Sequence, residues 1–303
     1  MVEERVGAVR PERVLLATDL SHRCDRALDR AADLARRWEA DLVVVHAIER
    51  PSGSLALDMS QDVPSAPEPA DRAQEVERRL RRYLPLHEIR TAIVVEEGPP
   101  AELVLETANR HPADLIVTGV ARDRSFQKFL LGGTVDALIR DARNPLLVVK
   151  DRTRQPYRQV IVPTDFSDSA RYALQTAIIL FPDAELTVFH GADAPYAGLM
   201  DSTQFLDDMR QAAIVDCHAF LERSGVPDET RARIKIIVEV GAPGPLLARY
   251  IEGSDVDLVV VGAHSRGRLM EAVIGNTARA ILDSVPCDVL VLRDPSASDD
   301  RPG

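Results

Sequence analysis

The chain has 303 residues, 45% of them hydrophobic and 28% charged, with a net charge of −11. That length suits two domains rather than one core, and the acidic balance works against nonspecific binding to nucleic acid or an anionic membrane. No apolar run approaches the roughly 18 residues that span a bilayer, and the opening MVEERVGAVRPERV lacks a signal-peptide core, so a cytoplasmic protein is expected. Residues 14–17 read as a short buried strand, and Thr18-Asp19-Leu20-Ser21 as its polar exit and a helix cap. A helix over 24–39 puts Ala27, Leu28, Ala31, Leu34 and Ala35 on one face. A second strand, 42–45, ends at His46, and a Pro/Ser/Ala-rich loop fills 50–70. The helix 71–83 carries Arg78, Arg79, Arg81 and Arg82 among Glu75 and Glu77, the mark of a solvated face. A third strand spans 89–95, and Glu97-Gly98-Pro99-Pro100 turns the chain into a helix over 101–109.

The stretch 115–139 comes next, LIVTGVARDRSFQKFLLGGTVDALI, and then a last strand over 146–149. After a polar linker at 151–157 the order restarts. Strand 160–162 leads into Thr164-Asp165-Phe166-Ser167, which matches the earlier exit at an offset of 146. Strand 186–189 meets His190 as the earlier strand meets His46; helix 205–223, strand 234–240 and the turn Gly241-Ala242-Pro243-Gly244 follow. The stretch 258–282, LVVVGAHSRGRLMEAVIGNTARAIL, then repeats 115–139, with Gly119/Gly262 and Gly132/Gly275 both 143 positions apart. A final strand covers 289–292.

Strand and helix alternate through both halves. This predicts an α/β fold: two tandem doubly wound, five-stranded parallel sheets with helices on both faces. Ligands in such sheets sit beyond the strand C-termini where the strand order reverses. Asp19 and Asp165 leave the first strand of each half, and Gly119 and Gly262 leave the fourth. If those strands are neighbours, carboxylate and glycine share a crevice. Glycine lets a backbone approach a ligand closely, and the unpaired N–H groups of a helix start attract phosphate. The bland reading of the same glycines is a pair of turns.

Catalysis finds no support, with no GxGxxG, Walker A, HExxH or GxSxG pattern. His46 and His190 read as hydrogen-bonded core histidines, and His22, His87, His111 and His218 have no metal-ligand spacing. Cys24, Cys217 and Cys287 contain no CxxC pair and read as buried thiols.

Taken together and in order, four repeated signals resemble the universal stress protein family in its tandem form: the T-D-[LF]-S exit, the strand meeting His, the Gly-Pro turn, and the D-L-[IV]-V-x-G strand before the glycine stretch. The resemblance covers 11–150 and 156–294 and implies three-layer, Rossmann-like α/β/α domains related by a pseudo-twofold axis. It implies antiparallel pairing of 146–149 with 289–292, and leaves room for a further homodimer. ATP-binding members of that family carry Gly, two residues, Gly, nine residues, then Gly with Ser or Thr. Here the second half reads Gly262, Ser265, Gly275, Asn276, and the first Gly119, Arg122, Gly132, Gly133, with Thr134 one residue on. Ser265 keeps a small side chain and a donor, and Asn276 can donate through its amide. Arg122 crowds the crevice while offering charge to a phosphate.

The resemblance therefore implies ATP, or another adenine nucleotide, as ligand. Asp165 would face base and ribose, Gly262 and Ser265 would admit the phosphates, and Gly275 with Asn276 would meet their charge. Asp19, Gly119, Arg122, Gly132 and Gly133 would form a lesser copy. His264, Arg266 and Arg268 are either phosphate contacts or solvated loop residues. A stress-response regulator, not an enzyme, is the expected class. The alternative is a scaffold whose degenerate glycine loops bind no nucleotide.

Overall fold

The computed structural model describes residues 10–21, 24–48, 69–83, 88–122, 129–153, 155–192, 203–263 and 275–295. The loops expected at 50–70 and after strand two of the second half fall largely outside these residues, as do Ser265, His264, Arg266 and Arg268. The first half runs β1 (Arg13–Ala17), α1 (Asp25–Trp38), β2 (Asp41–Ile48), α2 (Pro69–Tyr83), β3 (Thr91–Glu97), α3 (Pro100–Arg110) and β4 (Leu115–Gly119). A small hairpin, β5 (Ala121–Arg122) and β6 (Phe129–Leu130), precedes α4 (Gly133–Asp141) and β7 (Leu146–Val149). The second half runs β8 (Gln159–Pro163), α5 (Asp168–Leu180), β9 (Glu185–Ala192), α6 (Thr203–Arg223), the short α7 (Asp228–Arg233) and β10 (Lys235–Val240). It closes with α8 (Pro243–Glu252), β11 (Leu258–Ala263), α9 (Asn276–Ser284) and β12 (Asp288–Arg293). The hairpin and α7 were not expected from sequence; each is too short to leave a periodic pattern. β2 and β9 run on past His46 and His190 instead of ending there.

The five main strands of each half are parallel, ordered β3-β2-β1-β4-β7 and β10-β9-β8-β11-β12. β1 therefore neighbours β4, and β8 neighbours β11, as the shared crevice requires. The two sheets fuse. β7 pairs antiparallel with β12 through Val148–Val289, Leu147–Leu290 and Leu146–Val291, giving one ten-stranded sheet. Strand residues alternate between two cores that cross this seam. Leu16, Val44, Val117, Leu147, Val260 and Leu290 face one side; Leu15, Val43, Ile116, Val148, Val259 and Val289 face the other. Burial on both faces is why these strands read as continuous apolar runs.

The Asp of each D-L-[IV]-V run holds the sheet together. Asp114 Oδ2 accepts from the Glu12 and Arg13 N–H groups at 2.8 and 2.9 Å. Asp257 Oδ2 does the same for Arg158 and Gln159 at 2.8 and 3.0 Å. Each latch fastens the start of the first strand to the start of the fourth.

Charged groups also cross the seam. Lys150 Nζ donates to the Val285 carbonyl at 2.8 Å and to that of Leu282, at the C-terminal end of α9. Arg293 Nη2 reciprocates at the end of α4, donating to the Arg140 carbonyl at 3.2 Å and to that of Ile139. Asp288 accepts the Lys150 and Asp151 N–H groups at 2.8 and 3.0 Å and the Tyr157 hydroxyl at 2.6 Å. The Arg30 guanidinium carbon sits over the Tyr157 ring, 3.8 Å from its centre, with Nε 3.4 Å from Asp288. Arg30 is a correction to the helical pattern: it belongs to the buried face of α1, only 5% exposed.

Candidate functional site

Each first strand ends in a tightly held turn. In the first half the Leu20 N–H donates to Thr18 Oγ1 at 3.1 Å, and the Ser21 N–H to Asp19 Oδ1 at 2.8 Å. In the second the Phe166 N–H donates to Thr164 Oγ1 at 2.9 Å, and the Ser167 N–H to Asp165 Oδ1 at 3.1 Å. Leu20 and Phe166 sit in the left-handed region, φ 58° and 64°, so the Thr and Asp side chains hold a conformation the backbone resists. Ser167 Oγ then caps α5 by accepting from the Ala170 N–H at 3.2 Å.

His46 and His190 are clamps on these turns. Nδ1 of His46 is 2.9 Å from the Thr18 carbonyl, and Nδ1 of His190 is 2.8 Å from that of Thr164. A carbonyl only accepts, so Nδ1 carries the hydrogen in each ring. His190 also stacks on Phe166 at 4.4 Å between ring centres.

Across the crevice, Gly132 and Gly275 are the N-cap residues that precede α4 and α9. Both glycines are extended (φ −69°, ψ 160° and φ −59°, ψ 149°), and no side chain caps either helix. The first three N–H groups of each helix therefore lack an intrahelical acceptor and lie at the positive end of the helix dipole. A Cβ built on Gly132, Gly133 or Gly275 meets nothing within 4 Å. Gly262 is different, for the helix packed on it already needs the side chain to be missing. Its Cβ would lie 2.2 Å from the Ser169 carbonyl oxygen, so glycine is required there for α5 to pack on β11.

These parts enclose two clefts. Asp165, Gly262, Gly275 and Asn276 line one of about 390 Å³. Asp19, Gly119 and Gly132 line the other, of about 260 Å³. Gly133 is the first residue of α4, and Arg122 lies in β5, paired with Phe129 just beyond Gly119. Thr134 and Thr277, 143 positions apart at the second position of their helices, line the two clefts. Their recurrence was the available signal for a hydroxyl beside each helix start, one residue later than the family pattern puts it.

The clefts differ at matched positions. Cys24 and Ala47 line the first, where Ala170 and Gly191 line the second. Burial raises the Asp19 carboxyl, but hydrogen bonds with the Ser21 and Cys24 side chains and the Ser21 N–H outweigh it and leave Asp19 below its ordinary value. Burial, with Asp19 close by, pushes the Cys24 thiol up to about 12, so it stays protonated at neutral pH. Cys24, Cys217 and Cys287 are all buried and free. Among the described residues no His/Cys/Asp/Glu group is arranged to hold a metal, and no helix is long and apolar enough to cross a membrane.

Known proteins match this architecture. The model of the universal stress protein family matches residues 11–150 and again 156–293. The stress response protein NhaX of Bacillus subtilis is 29% identical over 162 residues, 46% of this chain and 98% of its own length. A universal stress protein structure from Archaeoglobus fulgidus is similar with a TM-score of 0.69 at 19% identity, covering 93% of this chain and 98% of its own. A protein of unknown function from Pseudomonas aeruginosa PAO1 is similar at 0.65 and 19%, covering 95% and 94%.

Proposed function

This chain belongs to the universal stress protein family, and from that premise we propose that it is a nucleotide-responsive regulator whose second-half cleft binds ATP or a related adenine nucleotide. The observation that carries the reading is the pairing, in one cleft, of the Asp165 turn with the uncapped start of α9. A carboxylate and backbone groups on one wall suit base and ribose; bare N–H groups and a dipole on the other suit phosphate. Asn276 and Thr277 add side-chain donors there. The cleft volume, about 390 Å³, lies within the usual range for small-molecule sites, whereas 260 Å³ in the first half lies below it. The first cleft, with Asp19, Gly119, Arg122, Gly132 and Gly133, is then the weaker site. Ser265 joins the second site only through the family pattern.

The nucleotide acts as a ligand in this reading. The hydrogen on Nδ1 of His46 and His190 is already committed to a carbonyl, so the clamps do not double as bases through that nitrogen. The test is a titration of the full chain with a fluorescent ATP analogue, alongside mass spectrometry of whatever the purified protein releases on denaturation. Gly275→Trp is the blocking variant, because its backbone is extended and its Cβ meets open space. Binding by the wild type that drops tenfold or more in this variant supports the site. No saturable binding by the wild type would remove the reading in favour of a nucleotide-free scaffold.

A further inference from the structure

The seam between the halves contains two kinds of contact, and they treat a partner differently. The first kind is symmetric. Leu147 and Leu290 are equivalent positions, 143 apart, and they pair with each other at the centre of β7 and β12. Lys150 and Arg293, also 143 apart, each reach across to carbonyls at the end of the other half's last helix. An apolar strand pair and two reciprocal cations would serve any two halves equally well.

The second kind is asymmetric. Asp136 and Arg279 are again 143 apart, so the pseudo-twofold axis runs between them, and they form an ion pair at 2.8 Å. In a pair of like halves a residue on the axis meets its own copy. Two first halves would set Asp136 against Asp136; two second halves would set Arg279 against Arg279. Off the axis, Arg30 faces Asp288 with both side chains buried, 6% and 1% exposed. The position matching Arg30 at the offset of 146 is Thr176, and the one matching Asp288 at 143 is Pro145. Two first halves would bury Arg30 twice, each time without Asp288 and with only Asp33 of its own helix at 3.9 Å. Two second halves would bury Asp288 twice without its guanidinium. A buried charge deprived of its partner is among the costliest defects an interface can carry.

We infer that this seam is a specificity surface that accepts only an unlike half: the partner it fits is the second half of the same chain, and like halves are rejected. The symmetric contacts supply adhesion. The Asp136–Arg279 and Arg30–Asp288 pairs supply the discrimination, one at the rim and one in the interior. The carboxylate of Asp288 also grips the chain between the halves, through Asp151 and Tyr157, so the same group that selects the partner fixes the connection to it.

The test uses the full chain and needs no ligand. Asp136→Arg reproduces, inside one molecule, the cation-to-cation encounter of two second halves; Arg279→Asp reproduces the acid-to-acid encounter of two first halves. At low salt each single reversal is expected to lower the unfolding midpoint by about 2–4 °C, and the double reversal to recover part of that loss, the Arg279–Asp283 pair within α9 staying broken. Arg30→Met is expected to cost more, with part of the loss recovered in Arg30→Met/Asp288→Asn, where neither charge of the pair remains. Single effects that simply add in both double variants would overturn the inference. So would a double reversal that folds less stably than either single one.

Discussion

The two clefts are built from the same parts and differ in the side chains that line them. Each has a Thr-Asp turn in a strained backbone, a histidine clamp beneath it and a glycine-opened helix opposite. Yet the first measures about 260 Å³ and the second about 390 Å³. Cys24, Ala47 and Val135 stand in the tight copy where Ala170, Gly191 and Ala278 stand in the roomy one. Duplication kept the scaffold that makes a cleft, and smaller side chains at matched positions accompany the larger volume.

That contrast can be broken or sharpened by substitution. The largest effect is expected at Gly262. Gly262→Ala drives a methyl to within 2.2 Å of backbone in α5 and should cost about 3 kcal/mol or more in urea unfolding. Gly275→Ala, facing open space, should cost no more than about 1 kcal/mol. Next is the narrowing of the second cleft by Ala170→Cys with Gly191→Ala. The Gly191 methyl would sit 2.9 Å from Pro243 Cα, so a loss of about 1–3 kcal/mol is expected. If the cleft holds a nucleotide, its affinity should also fall about tenfold in titration, equivalent to about 1.4 kcal/mol.

The third is a pH effect that only the first cleft can show. The Cys24 thiol has its pKa raised on folding, from 9.0 to about 12, so the native state keeps a proton that the unfolded chain gives up. Stability therefore falls as pH rises above 9, by about 1.4 kcal/mol per pH unit for this group. Cys24→Ala should flatten the alkaline limb of a stability profile by that slope. The Gly275→Ala chain should retain it. The smallest effect is at the clamps. His46→Ala and His190→Ala each remove one hydrogen bond, worth about 1 kcal/mol. His190→Ala should cost the more of the two because Phe166 loses its stacking partner.

Much of this organisation is legible in the residues. Buried strands announce themselves as apolar runs, and the offsets of 143 and 146 expose the duplication in the residues alone. Asp165, Gly262, Gly275 and Asn276, far apart in the chain, do line one cleft because β8 and β11 are neighbours. What stayed hidden has a common cause: a one-dimensional pattern does not say which way a residue faces. Arg30 sits on an apolar helical stripe, and a charge there reads as a flaw until Asp288 arrives from the other half. Gly262 shows that a glycine is needed without showing that α5, on its far side, is what needs it. Asp114 and Asp257 belong to a recognisable motif, yet their work is to fasten strand starts at the end of the sheet remote from the clefts.

The fused sheet has a consequence for how the protein is made. Alone, the first half would end in β7, a short and wholly apolar strand with its outer hydrogen-bonding row uncovered, which is the geometry that invites aggregation. Its cover, β12, begins only at Asp288, a whole half later in the chain than Val149. At ordinary elongation rates that interval is on the order of ten seconds. During it the nascent chain presents a sticky margin whose intended mate does not yet exist, so a holding chaperone or slow, shielded emergence has its natural point of action at Leu146–Val149.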